Sequence, residues 1–168
     1  IMAEETIERI KNGEFKRIVV LTGAGVSTNA GIPDYRSAGG FFTELMKAFP
    51  EAKNPEDLLT RSFINTHKVC DHQVYLNHID VFKNAAPTTS HMLCKWLFDK
   101  GWLLRVYTQN IDGLHQKAGL PEDMVVEYHG SLVKNNVVFY GDLIPLDVLN
   151  QTRMDFHENP FLIDLVLV

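Results

Sequence analysis

The sequence predicts an α/β fold, with a Rossmann-like, mostly parallel sheet and helices on both faces. Short β-branched runs alternate along the chain with longer segments of helical periodicity, which is typical of this class. Three of these runs lead directly into polar or glycine-rich motifs that contain Gly23, Gln109 and His129. Ligands of such folds bind outside the carboxyl ends of the strands, so the three motifs predict one shared site.

The first half of the chain is predicted to hold one strand and most of the helices. Ile7 and Ile10 share a face of the first helix, and Gly13 ends it. The apolar run 18–21 stops at glycines, as a buried strand does. The pattern predicts a helix over 3–12, a strand over 18–21, a helix over 41–49, a break over 50–55, short helical turns over 58–63, and a longer helix over 66–82 with Cys70, Val74, Tyr75, Ile79 and Phe82 near one face.

The second half is predicted to hold the remaining strands. A helix opens at Pro87 and ends at Gly101, because proline suits a helix start and glycine suits a helix end. Its apolar stripe is predicted to comprise Met92, Leu93, Trp96 and Leu97. Apolar runs then predict strands over 103–107, 124–128, 136–139 and 162–168.

Composition limits the classes of function. The chain has 168 residues, 45% of them hydrophobic and 22% charged, which suits one globular domain. A net charge of −5 and a pI near 5.8 argue against a dedicated nucleic-acid binder. No signal peptide and no apolar run of about 20 residues is visible, so we expect an intracellular protein without a membrane partner. Cys70 and Cys94 are too few for a disulfide scaffold and are expected to be buried thiols in amphipathic helices.

The most informative motif is the stretch 22–36, which follows the first strand. Gly23, Ala24 and Gly25 predict a tight turn where the backbone can approach a ligand, and a helix beginning there would direct free N–H groups at a phosphate. The common dinucleotide fingerprint needs glycine where Thr28 stands, and no clear acidic partner follows about 20 residues later. An ordinary Rossmann oxidoreductase is therefore disfavoured.

Three more stretches follow in order: 108–115 (TQNIDGLH), 127–131 (EYHGS) and 133–142 (VKNNVVFYGD). Together with 22–36 they resemble the motifs of the sirtuins, the NAD-dependent protein-lysine deacylases, over nearly the whole chain. The chain departs from the family pattern at Tyr35, where phenylalanine is usual, at Asn135, where proline is typical, and at Tyr140-Gly141-Asp142, where the family ends in F-G-E. The resemblance implies NAD as cofactor and acylated proteins or peptides as substrates.

The resemblance also implies which residues bind NAD. Asn110 would organise the ribose and a water molecule, Asp112 would accept a hydrogen bond from the nicotinamide amide, and Ile111 would wall the pocket. Arg36 would meet phosphate, and Tyr35 would shield the reactive ribose carbon. The alternatives are an Asx-rich turn around Asn110 and a plain surface ion pair at Arg36. The implied NAD-binding residues are Gly23, Ala24, Gly25, Pro33, Asp34, Tyr35, Arg36, Gln109, Asn110, Ile111, Asp112 and His129.

His129 ends a predicted strand and precedes Gly130. A histidine can accept a proton near pH 7. The resemblance implies that His129 is the general base that deprotonates a ribose hydroxyl, with Asn110 as the second catalytic residue. The alternative is a histidine that only caps the strand end. His115 is expected to order its loop, and surface or helix-face positions are expected for His67, His72, His78, His91 and His157.

Val137 and Phe139 alternate with Val138 on the predicted strand 136–139, which ends at Gly141. They could be ordinary core residues. The resemblance implies instead that Val137, Phe139 and Gly141 contact the substrate peptide, with a strand edge for its backbone and an apolar tunnel for the acyl-lysine.

The family's small zinc module, which uses two pairs of cysteines, has no counterpart between the histidine motif and 133–142. A structural zinc site needs four ligands, so no metal ligand is predicted here although the family leads us to expect zinc. Residues 1–168 are expected to form an incomplete Rossmann-like domain, with an insertion missing between Leu132 and Val133 and a truncation after Val168. A true deletion, a shortened protein and unobserved residues would each explain this; the last two are favoured because the sequence stops inside an apolar run.

The predicted function is NAD-dependent deacylation of acyl-lysine in proteins, with release of nicotinamide and acyl-ADP-ribose. Two alternatives use the same pocket. One is a non-catalytic NAD-binding module, and the other is an NAD glycohydrolase or ADP-ribosyltransferase. The protein substrate, the acyl length and the oligomeric state stay open.

Overall fold

The computed structural model describes residues 2–36, 39–159 and 162–168. It confirms the α/β class, with a parallel sheet and helices on both of its faces. The helices are α1 (Met2–Lys11), α2 (Phe41–Ala48), α3 (Arg61–His67), α4 (Gln73–Asn84), α5 (Thr89–Asp99), α6 (Leu114–Lys117) and α7 (Leu146–Arg153). The strands are β1 (Ile18–Thr22), β2 (Leu103–Thr108), β3 (Val125–Glu127) and β4 (Leu165–Leu167).

The described strands form one sheet in the order β3-β2-β1-β4, with every pairing parallel. Because side chains alternate between the two faces of a sheet, β1 contributes residues to two separate hydrophobic cores. Ile18 and Val20 pack with Cys94 and Leu97 of α5 on one face. Val19 packs with residues of β2, β3 and α7 on the other face.

The residues between β1 and α5 in the sequence form a second, largely helical layer. Its core joins α2 and α3 to neighbouring turns through Phe41, Leu45, Leu58 and Ile64, which are all buried. Helix α4 packs against this layer through residues such as Tyr75. The site described below lies between this layer and the ends of the strands.

The predicted helix over 66–82 is wrong. Helix α3 ends at His67, where Lys68 adopts the left-handed conformation with φ of 50°, and a short 3₁₀ turn then runs over Val69–Asp71. Helix α4 starts anew after His72, whose Nδ1 accepts a hydrogen bond from the Val74 N–H at 3.2 Å. The spacing of apolar residues does not indicate a side-chain cap, so it predicted one helix where the structure has two. Cys70 accordingly lies in the turn and is only partly buried.

The apolar stripe predicted for α5 is also wrong in part. Met92 and Leu93 are about half exposed, at 49% and 47%. The buried face carries His91, Cys94 and Leu97 instead. His91 lies on that face with its Nδ1 accepting the Thr88 N–H at the helix start at 3.1 Å, while its buried Nε2 has no hydrogen-bond partner.

The predicted strand over 136–139 is an extended segment without a ladder. It is held by single hydrogen bonds, from Val138 N–H to the His129 carbonyl at 2.9 Å and from Tyr140 N–H to the Leu59 carbonyl at 3.0 Å. Thr60 and Tyr140 form one isolated bridge. The segment therefore joins the histidine motif to the helical layer rather than extending the sheet.

Candidate active site

A cleft of about 880 Å³ opens where β1, β2 and β3 end, and α2 and α4 form its opposite wall. The three ends are tied together by the backbone. The Gln109 N–H donates to the Thr22 carbonyl at 3.1 Å, and the Tyr128 N–H donates to the Thr108 carbonyl at 2.9 Å. Most predicted site residues line this cleft, namely Ala24, Pro33, Asp34, Tyr35, Arg36, Gln109, Asn110, Ile111, Asp112, His129, Val137, Phe139 and Gly141.

Gly23 and Gly25 lie in the adjoining loop but do not line the cleft. No α-helix begins there. Two 3₁₀ turns of three residues follow β1 instead, so a helix dipole contributes little to anion binding at this loop. A Cβ added at either glycine would meet no protein atom within 4 Å, so open space lies beside this backbone. That space leaves room for a ligand to lie against the loop backbone.

Asn110 and Asp112 are joined through Ser27, which the motif analysis did not assign. The Asn110 amide donates to the Gly23 carbonyl at 2.9 Å and to Ser27 Oγ at 3.1 Å. The Ser27 hydroxyl then donates to Asp112 Oδ2 at 2.6 Å, and the Leu114 N–H donates to Oδ1 at 2.9 Å. This network fixes the loops after β1 and β2 relative to each other. A serine two residues after a Gly-x-Gly turn was the sequence signal that could have found it.

His129 stands exposed at the edge of the cleft. Its Nδ1 lies 2.9 Å from the Gln109 carbonyl oxygen. A carbonyl oxygen can only accept a hydrogen bond, so Nδ1 carries the proton and Nε2 of the neutral ring keeps its lone pair. The structure therefore holds His129 in the tautomer that can act as a base through Nε2.

Tyr35 and Arg36 differ in their surroundings: the Tyr35 ring packs among aromatic rings, whereas the Arg36 side chain is exposed. The Tyr35 ring contacts Phe41 at 5.5 Å and Phe42 at 5.6 Å between centroids, and burial raises the pKa of its phenol well above the ordinary value. The Arg36 guanidinium is exposed and lies 3.0 Å from Glu56. A phosphate bound at Arg36 would therefore have to compete with that carboxylate.

Three histidines other than His129 are buried near the cleft or the core. His115 is buried as an ordering residue, with Nε2 3.0 Å from Thr22 Oγ1, and burial lowers its pKa to about 3. His78 and His91 are buried on helix faces, in α4 and α5, which is one of the two kinds of position expected for them. His78 also lines the cleft, which the motif analysis missed. Its spacing of three from Tyr75 and four from Phe82 places it on the apolar face and was the available signal.

The extended segment after His129 closes one side of the cleft. Gly130 adopts φ of +69°, and a Cβ there would lie 2.1 Å from the Asn136 carbonyl oxygen. The turn between these residues runs through Leu132 and Val133 and is closed by a hydrogen bond from the Asn136 N–H to the Ser131 carbonyl at 3.2 Å. Val137 and Phe139 thereby reach the cleft, although no ladder presents them.

The residues present do not fit a structural zinc site. Within 2–36, 39–159 and 162–168, no group of three or more His, Cys, Asp or Glu side chains is arranged to hold a metal ion. Cys94 is buried, and burial raises its pKa to about 11, which opposes the thiolate that zinc requires. Across the same part of the chain, no helix has the length and apolar character needed to cross a bilayer.

The chain matches a family model described as the Sir2 family over residues 23–136, more than half of its length. It is 40% identical over 131 residues to an NAD-dependent protein deacetylase of Clostridium perfringens, covering 78% of this chain and 50% of that protein. It is also 40% identical over 125 residues to the NAD-dependent protein deacetylase HST1 of Saccharomyces cerevisiae, covering 73% of this chain and 24% of that protein. The chain thus spans half or less of these relatives.

Solved structures agree with the sequence matches. A mutant Sir2 homologue in complex with ADP-ribose superposes with a TM-score of 0.66 at 27% identity, covering 83% of this chain and 65% of that one. A structure described as the structural basis of sirtuin substrate affinity gives a TM-score of 0.65 at 28% identity, covering 83% and 67%. The likeness extends beyond the stretch that matches the family model.

Proposed function

Because the chain belongs to the Sir2 family, we propose that it removes acyl groups from lysine in proteins by NAD-dependent deacylation, releasing nicotinamide and acyl-ADP-ribose. The observation that carries the proposal is the tautomer of His129. Its Nδ1–H is engaged by the Gln109 carbonyl, so Nε2 is left to accept a proton at the edge of the cleft. A general base at this place is what the reaction requires of the protein.

The other residues of the cleft would bind and orient the reactants. NAD supplies the ribose that receives the acyl group and the nicotinamide that leaves. The backbone beside Gly23 and Gly25 would run along its phosphates, with Arg36 at the edge. Asn110 would orient the ribose, because its amide is already held by Gly23 and Ser27 and its side-chain oxygen can still accept a hydrogen bond.

Asp112 is proposed to contact the nicotinamide amide while also holding the loop. Each of its oxygens already accepts one hydrogen bond, and a carboxylate oxygen has room for a second. Ile111 and Tyr35 offer apolar surface on either side. Ala24, Pro33, Asp34 and Gln109 are proposed to complete the contacts with NAD.

Val137, Phe139 and Gly141 are proposed to contact the acylated peptide. They lie on the extended segment that borders the cleft, next to the backbone bond between Val138 and His129. An extended segment of this kind can pair with a peptide backbone without demanding a particular sequence. The side chains of Val137 and Phe139 would then flank the lysine stem.

We further propose that a segment of the longer protein belongs between Leu132 and Val133, where the family has its zinc module. The support is the direct junction of two otherwise intact motifs and the short length of the chain relative to its relatives. The mass of the protein isolated from its natural source would test this. A mass that matches an uninterrupted 130–136 turn would refute the insertion.

An intracellular location of the protein also stays a prediction.

An assay with an acetylated peptide and NAD tests the function. Nicotinamide release that requires the peptide, together with acetyl-ADP-ribose, is the expected result. Release without peptide would indicate a glycohydrolase, and NAD binding without release would indicate a non-catalytic module. Either of these two results would overturn the proposed deacylation.

A further inference from the structure

The turn over 139–142 carries Gly141 to the cleft and is closed by its own residues. The Asp142 N–H donates to the Phe139 carbonyl at 3.0 Å, and the Phe139 N–H donates to Asp142 Oδ2 at 3.0 Å. Gly141 has a left-handed φ of +87°, which glycine readily adopts at the third position of a turn. A Cβ added there would meet no protein atom within 4 Å, so open space lies beside its backbone. The Asp142 carboxylate therefore helps to fix how Gly141 is presented.

Arg61, the first residue of α3, holds this turn from outside the cleft. Its Nε donates to both carboxylate oxygens of Asp142, at 2.8 Å to Oδ1 and 2.9 Å to Oδ2. Its guanidinium carbon lies 5.3 Å from the centre of the Phe139 ring, which is a cation–π contact. The Tyr140 N–H also donates to the Leu59 carbonyl just before α3, at 3.0 Å. One arginine thus contacts both ends of the turn.

These side-chain contacts matter because, in the described part of the chain, the residues 136–142 join no sheet. A ladder of backbone hydrogen bonds would otherwise fix such a segment. The hydrogen bond from Arg61, and after it that from the Phe139 N–H, hold the pKa of Asp142 below its ordinary value. Asp142 is therefore ionised at pH 7 and accepts both bonds as a carboxylate.

We propose that Arg61 is a positioning residue for the acylated peptide: through Asp142 and Phe139 it holds the turn in the conformation in which Phe139 and Gly141 meet the peptide. The inference rests on the proposed deacylation and adds a residue outside the cleft lining on which peptide affinity depends. A segment that is already ordered loses less conformational entropy on binding, so the peptide binds more tightly.

Arg61→Gln tests the role of the charge. We expect the Kd of a labelled acetylated peptide, measured by fluorescence anisotropy without NAD, to rise about 2- to 5-fold. The effect is modest because the Arg61 side chain is 63% exposed and water competes for it. The KM for the peptide should rise in the same proportion, while kcat and the KM for NAD should stay at their wild-type values, since only peptide binding is weakened.

Asp142→Asn tests the other partner. It removes the negative charge but leaves one oxygen that can accept the Phe139 N–H. We expect a similar rise in the peptide Kd. The double variant Arg61→Gln with Asp142→Asn should bind the peptide no more weakly than either single variant, because all three lose the same ion pair.

Arg9→Gln is the matched control. Arg9 Nε lies 2.8 Å from Glu14 Oε2, and its guanidinium carbon lies 4.8 Å from the centre of the Phe15 ring. The same two kinds of contact are thus made by a residue outside the cleft lining. Its substitution should leave the peptide Kd unchanged. Circular dichroism of each variant, compared with the wild type, shows whether the fold is kept.

Four results would overturn the inference and leave deacylation standing. They are an unchanged peptide Kd in Arg61→Gln, an equal rise in Arg9→Gln, a fall in kcat with no change in peptide Kd, and fully additive losses in the double variant. A wild type that turns over no acetylated peptide with NAD would overturn the proposed function, and this inference with it.

Discussion

At the scale of single residues, the hydrogen bond between His129 and Gln109 sets the chemistry, because it decides which ring nitrogen is free. His129→Ala should lower peptide-dependent nicotinamide release by about 10²- to 10⁴-fold, the range usual for loss of a general base. His157→Ala is the control, since His157 is exposed and outside the cleft. Near-normal turnover by a folded His129→Ala protein would show that another group is the base.

Asp112 has a structural role that can be measured apart from catalysis. Asp112→Asn replaces one acceptor oxygen by an NH₂ group, which only donates. One of the two hydrogen bonds, from the Ser27 hydroxyl to Oδ2 or from the Leu114 N–H to Oδ1, is therefore lost. Since Asp112 is only 7% exposed, we expect the free energy of unfolding to fall by about 1–3 kcal/mol in urea titrations. Asp99→Asn removes an exposed partner of Lys95 and should cost less than about 1 kcal/mol. Equal losses in the two variants would contradict the importance of the buried network.

Residue positions near the strand ends could be predicted because the motifs give both identity and spacing. His129, Asn110 and Asp112 meet in the cleft as their strand ends require. His78 and Ser27 could not be found in the same way. His78 meets Tyr35 and Phe41 at the cleft, and that contact depends on the tertiary packing of segments that are distant in the sequence.

At the scale of elements, the turn after His129 depends on Gly130. Gly130→Ala combines a left-handed φ of +69° with a Cβ that would sit 2.1 Å from the Asn136 oxygen. Gly101→Ala is a matched control, because Gly101 has the same φ of +69° and no atom within 4 Å of the added Cβ. We expect Gly101→Ala to cost about 1–2 kcal/mol of stability, and Gly130→Ala about 1–3 kcal/mol more. Equal unfolding midpoints in urea for the two variants would show that the turn can shift at no cost.

Helix α7 and the π turn that follows it are held to the sheet by Asp155. Its carboxylate accepts hydrogen bonds from Arg105 Nε at 2.9 Å, the Tyr107 hydroxyl at 2.6 Å and the Gln151 amide at 2.9 Å. Burial alone raises the pKa of Asp155, but the hydrogen bonds from Arg105 and Tyr107 outweigh it and hold the pKa below the ordinary value.

A lowered pKa fixes the sign of the pH effect. The stabilisation by Asp155 is fully present above its unfolded-state pKa of about 3.9 and is lost as the pH falls through the lower folded value. The difference in free energy of unfolding between wild type and Asp155→Asn should therefore be largest near pH 5 to 7 and should shrink toward pH 2. Urea titrations across this range measure it. A difference that stays constant with pH would exclude the charge of Asp155 as the cause.

Elements with strong local signals were predicted, and those set by capping or by distant contacts were not. Helix α1, the strands of the sheet and the start of α5 lie where glycine, proline and apolar runs place them. The break at Lys68 depends on a residue in the left-handed conformation and on the His72 cap. The spacing of apolar residues indicates neither of them. The segment 136–139 has the composition of a strand, yet its neighbours offer only single carbonyl groups, that of His129 to Val138 and that of Leu59 to the adjacent Tyr140, so it forms no ladder.

At the scale of the whole molecule, the cleft exists because two layers meet. The ends of β1, β2 and β3 supply its polar residues, and α2 and α4 supply its apolar wall. The sequence predicts that the strands are parallel but not their order in the sheet. Strand β4 lies beside β1, at the opposite edge of the sheet from β3, which precedes it in the sequence. A ligand that fills the cleft touches both layers at once and should stabilise the fold as a unit.

That coupling can be measured by thermal unfolding with ADP-ribose as the probe. A ligand that binds only the folded state adds about 2.7 kcal/mol when its concentration is 100 times Kd, which for a chain of this size raises Tm by roughly 5–10 °C. Inorganic pyrophosphate at the same ionic strength controls for a plain anion effect and should raise Tm far less. The His129→Ala protein should keep most of the shift, because His129 is one contact among many in the cleft and the other predicted NAD-binding residues remain. If ADP-ribose and pyrophosphate gave equal shifts, the cleft would bind anions without recognising the nucleotide, and the proposed NAD site would be wrong.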